Sequence, residues 1–145
     1  MLTAVLITVL TFGLVGLLHF AVMAFAMRWL TASALPHPAK LVLALYAAGA
    51  AHVSEAGLYA IAFASGETLG LGSFQKEAAM SAMEYFYFSL VNYTSLGLGA
   101  IYPDGHLRFI SGVEALNGFL LISCSASFIY TIHTRILRSE DTPPE

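Results

Sequence analysis

The chain has 145 residues, of which 58% are hydrophobic and only 10% charged, with a formal net charge of −3. Soluble domains run at roughly 45–50% apolar and about 25% charged, so one soluble core cannot absorb this excess, and an all-helical integral membrane protein is expected. Six basic residues against nine acidic ones argue against a nucleic-acid partner, and the lone Cys124 excludes a disulfide framework.

Residues 2–27 carry no Asp, Glu, Lys or Arg. That run of about 26 residues spans about 39 Å as a helix, enough to cross a bilayer. Ala24-Phe25-Ala26 has the small-x-small form of a signal cleavage site. No basic segment precedes it, however, and the run exceeds the about 7–15 residues of a signal core, so a retained first transmembrane helix over 1–28 is expected. A cytoplasmic loop is read over 29–40, with Pro36 and Pro38 as breakers. An outer helix follows over 41–64, whose only ionisable residues are His52 and Glu55. The aromatic segment 80–94 is apolar but too short to span, the length expected of a re-entrant helix. The third span covers 109–132, within an inner helix over 107–135, and carries Glu114 alone among acids. A flexible cytoplasmic tail is expected at 136–145.

Arg28, Lys40, Arg135 and Arg138 fall on one side of these spans, Lys76 and Arg108 on the other. The excess of basic residues predicts an outside N-terminus and a cytoplasmic C-terminus in the cell membrane. No arginine-rich helix of the voltage-sensing kind is present.

Between the second and third spans lies "NYTSLGLGAIYP", residues 92–103. Irregular backbone at membrane depth is tolerated only where protein buries it or where it lines a water-filled cavity. Alternate glycines permit conformations that aim successive carbonyls one way, and a ring of carbonyls replaces the hydration shell of a cation. One chain supplies one strand of such a ring, so several copies around an axis are needed.

The stretch "YFYFSLVNYTSLGLGAIYP" resembles the pore loop of the potassium channel superfamily, a pore helix followed by T-x-G-Y-G-D. Arg108 and Gly118 also stand where that family has an arginine after the filter and a hinge glycine in the inner helix. The resemblance covers 41–135 and implies a homotetramer in the lipid bilayer. It implies filter residues Thr94, Ser95, Leu96, Gly97, Leu98 and Gly99, with K+ or Na+ at their carbonyls. Permeant monovalent cations are the only cofactors it implies, and no catalysis. Ser95 replaces a threonine, Leu98 a tyrosine and Ala100 an aspartate. These changes loosen the filter's supports, so potassium passage with weak selectivity over sodium is expected. A non-selective cation channel and a non-conducting structural or regulatory membrane protein on the same fold stay open. A metal-dependent membrane enzyme ranks below them.

Three further sets of residues stand out. His52 and Glu55, three apart, share one helix face, and His19 is the one obvious partner on the first span. Ionisable groups inside a membrane are costly and point to function. The trio reads as polar glue or pore-helix support, or as a metal or proton site. Glu114 lies near filter depth and is expected to support the filter through Asn92 or Tyr93. Counting by threes and fours from Gly118 predicts Ile122, Ala126 and Ile129 or Tyr130 facing a cavity, with the bulky pair as a dewetting gate.

Overall fold

The computed structural model describes residues 1–75, 79–97 and 101–140, the last five as backbone only. Four helices and a two-residue strand pair run in the order α1 (Leu2–Ala32), α2 (His37–Thr68), β1 (Phe74–Gln75), α3 (Ala82–Tyr93), β2 (Tyr102–Pro103) and α4 (Leu107–Glu140). Three helices are long and apolar enough to cross a membrane: Leu2–Ala32, His37–Thr68 and Leu107–Arg135. The short α3 is wedged between α2 and α4, while α1 packs along both long helices from outside.

Each long helix extends beyond its expected span. The loop read over 29–40 shrinks to residues 33–36, because Pro38 does not break α2 but sits in its first turn, behind Pro36 as N-cap. A first-turn proline sacrifices no intrahelical bond and presets the helical φ. At this end His37 meets His133 of α4, Nε2 to Nδ1 at 3.1 Å with the rings stacked. The tail's first residues, 136–140, continue α4.

α1 is apolar on every side, yet it buries one stripe: Ala4, Thr8, Val15, His19, Met23, Ala26 and Leu30. Two polar residues lie on that stripe: Thr8 bonds back to the Ala4 carbonyl and His19 turns into the core. α2 presents Ala44, Ala48 and Ala51 to Met23, Ala26 and Leu30, and to Phe128 and Ile132 of α4. Small residues at such a seam let helix backbones approach closely, which is how helices associate in lipid.

At the opposite end the loops are tied together. β1 pairs antiparallel with β2, Phe74 opposite Pro103 and Gln75 opposite Tyr102. The Asp104 carboxylate accepts from the Ser73 amide and hydroxyl. Phe63, Phe74, Phe88 and Tyr85 stack edge to face beneath this pair, at centroid distances of 5.0–5.8 Å. Such arrangements add about 0.5–1.5 kcal/mol per pair beyond burial. Tyr85 also donates its hydroxyl to Glu67. Burial first, and then that carboxylate, push its phenol up to about 12, so it remains a donor at neutral pH.

Candidate functional site: the end of α3 and its supports

α3 has both ends specified by its own residues. Ser81 and Glu84 form a reciprocal capping box, the Ser81 amide donating to Glu84 Oε2 at 2.7 Å. At the other end Thr94 is the C-cap. The Ser95 amide donates to the Asn92 carbonyl and the Leu96 amide to the Val91 carbonyl, at 2.9 and 3.2 Å. These are the paired bonds of a Schellman turn, which requires a left-handed residue after the cap.

Ser95 supplies it with φ 58°, the only non-glycine with positive φ among the described residues. A side chain in that region costs roughly 1–2 kcal/mol. Gly97 follows at φ 61°. Two left-handed residues therefore flank Leu96. Leu98, Gly99 and Ala100 lie outside the described residues.

Two buried carboxylates pack against α3. Glu114 of α4 receives Asn92 Nδ2 and the Ser89 hydroxyl. Ser89 also lies 2.6 Å from the Ala56 carbonyl, and Asn92 is bonded twice more to Ser111. Glu55 of α2 faces α1 and the last turn of α3. It contacts His19 Nδ1 at 2.9 Å and His52 Nδ1 at 3.0 Å, and accepts from the Tyr93 hydroxyl. His52 Nδ1 is 3.1 Å from that hydroxyl, and its Nε2 is 3.0 Å from Ser125 Oγ on α4. Elements from all four helices therefore meet at one imidazole–carboxylate cluster directly beneath the α3 turn.

Residues 41–135, about two thirds of the chain, match the family model described as ion channel. The chain belongs to the ion channel family. The matched region is the two-span, potassium-channel-type pore domain, and it takes in α2, α3 and α4. No curated protein and no solved structure matches the chain. The channel is thus a multi-pass membrane protein with α1 added outside the matched domain.

The predicted residues fall into the channel as follows. His19, His52 and Glu55 come together, and Tyr93 joins them. Glu114 meets Asn92, but Tyr93 turns away to Glu55. Gly118, read as the hinge glycine and grouped with the cavity residues, is buried, and a Cβ there would collide with the Tyr93 carbonyl oxygen. The reason is that α3 covers the upper part of this α4 face. Below it, Ile122, Ala126 and Ile129 line a cleft with α2, and Tyr130 is exposed. Sequence reasoning missed Ser89, Ser111 and Ser125, since single serines on apolar helices carry no periodic signal. It also missed the Ser81–Glu84 capping box, whose S-x-x-E spacing was legible.

Proposed function

We propose that the channel assembles as a homotetramer and passes potassium, with weak selectivity over sodium, down its electrochemical gradient. The carbonyls of Ser95, Leu96, Gly97 and Leu98 from each chain surround the ions. The observation that carries this reading is the turn at the end of α3, where left-handed Ser95 and Gly97 alternate with Leu96. The α3 C-terminus adds its favourable dipole for a cation at the same place. Leu96 is 64% exposed in the single chain, which fits a filter strand waiting for neighbouring copies. The N-terminus lies outside and the C-terminus in the cytoplasm.

Proteoliposomes test it. Potassium and sodium fluxes are measured separately for the wild type and for Gly97→Ala. In the single chain a Cβ at Gly97 meets nothing within 4 Å among the described residues, so there the substitution acts through backbone conformation, at roughly 1–2 kcal/mol. Potassium flux above sodium flux, abolished by Gly97→Ala, is expected. Equal fluxes of both ions would remove the potassium preference. Flux unchanged in the variant would remove the filter assignment.

A further inference from the structure

Conduction through the end of α3 makes no use of the imidazoles behind it. We infer that His19, His52 and Glu55 form a binding site for a divalent transition-metal cation of the Zn2+ class, with the Tyr93 hydroxyl at its fourth corner. The site is independent of whether the pore conducts.

The donor atoms already converge. His19 Nδ1 and His52 Nδ1 approach the two oxygens of the same carboxylate at 2.9 and 3.0 Å, and the three ligand atoms lie within 4.8 Å of one another. The Tyr93 hydroxyl stands 3.1 Å from His52 Nδ1. Zn2+ bonds of about 2.0–2.1 Å give a tetrahedron with edges of about 3.3 Å. The imidazole–carboxylate and imidazole–hydroxyl separations of 2.9–3.1 Å lie within a few tenths of an ångström of that edge. Two imidazoles with one carboxylate favour zinc and its transition-metal neighbours, while magnesium and calcium prefer all-oxygen sites.

The surroundings support the same reading. When Nδ1 of His52 is a ligand, its Nε2 carries the proton and donates to Ser125 Oγ, the outer contact that orients metal-bound histidines. Glu55 is fully buried, and among the described residues its basic contacts are the two imidazoles. A buried carboxylate needs a compensating positive charge, which a metal ion supplies. His19 Nε2 is buried with no hydrogen-bond partner. The ring thus makes its polar contact through Nδ1, the nitrogen aimed at the cluster.

An entry path exists as well. The His52 side chain is 18% exposed and forms part of the wall of the cleft of about 390 Å³ between α2 and α4, beside Gly49, Ile122 and Ala126. An ion held there joins the added helix α1 to α2 and, through Tyr93, to the last turn of α3.

The full chain, purified in detergent without a polyhistidine tag, is equilibrated with micromolar Zn2+, desalted and assayed for metal. The wild type is expected to retain one Zn2+ per chain. The double variant His19→Gln/His52→Gln is expected to bind at least about ten-fold more weakly. The double variant His37→Gln/His133→Gln, which removes the other histidine pair, is expected to bind as the wild type does. Co2+ loading of the wild type gives a readout that needs no variant: the intense visible bands of four-coordinate cobalt are expected. Absence of bound metal, undiminished binding by His19→Gln/His52→Gln, loss of binding by His37→Gln/His133→Gln, or a weak octahedral Co2+ spectrum each overturns the site.

Discussion

Asn92 uses every polar atom it has. Nδ2 donates to the Ser111 carbonyl and to Glu114, and Oδ1 accepts from the Ser111 hydroxyl. Ser89 is less well served, with one hydroxyl proton and two acceptors, the Ala56 carbonyl and Glu114. This difference sets a prediction. In Glu114→Gln the amide oxygen still accepts from Asn92, and the new N–H can donate to Ser89 Oγ while Ser89 donates to Ala56. The variant should therefore unfold within about 1 kcal/mol of the wild type in reversible detergent denaturation, whereas Glu114→Ala should lose about 1–3 kcal/mol by leaving one Asn92 N–H unpaired. Equal losses in the two variants would show that the site tolerates no amide. A second residue-scale prediction concerns Ser95. At φ 58° a glycine relieves strain, so Ser95→Gly should raise stability by about 1 kcal/mol even as it removes a hydroxyl from the proposed filter. A fall in stability would mean that the serine side chain holds the turn through contacts made only in the assembled protein.

At the scale of elements, the helices differ in how much of them could be read in advance. The existence of α1, α2 and α4 followed from length and apolarity alone. Their ends did not, because Pro36 and Pro38 read as loop breakers while their physical effect, as N-cap and first-turn residue, is to start α2. The buried face of α1 was equally hidden. A helix apolar all round has no periodic signal to show which side is inward. The packing of α3 on α4 depends on Gly118, whose missing side chain lets the Tyr93 carbonyl approach the inner helix. Gly118→Ala forces backbone apart, not a flexible side-chain tip. It should cost at least about 1–3 kcal/mol in unfolding measurements and displace the α3 turn. Substitution of Gly13, where a Cβ meets nothing within 4 Å, is the matched control and should leave stability nearly unchanged.

For the whole molecule, the polar groups form two systems around one short helix. Glu114, Asn92, Ser89 and Ser111 join α3 to α4. Glu55, His52, His19, Tyr93 and Ser125 join α3 to α1, α2 and α4. The second system could be half read from sequence. The three-residue spacing of His52 and Glu55 places them on one face, and His19 was the only obvious candidate on the first span. Tyr93 and Ser125 could not be read, because nothing in an apolar or aromatic run says which hydroxyl will reach a histidine on another helix. The proposed filter rests on the motif TSLGLG, whereas the Schellman turn at the end of α3 depends on backbone hydrogen bonds that no residue pattern announces. The exposed Leu116, Phe119 and Tyr130 of α4 leave apolar surface for lipid or for neighbouring copies.

That assembly is where the central claim is tested most directly. Crystals of the full chain grown with thallium in place of potassium locate permeant ions by anomalous scattering. Four chains around one axis are expected, with thallium peaks on that axis ringed by the carbonyls of Ser95, Leu96, Gly97 and Leu98. Chains with no common axis at the end of α3, or thallium absent from that turn, would contradict it.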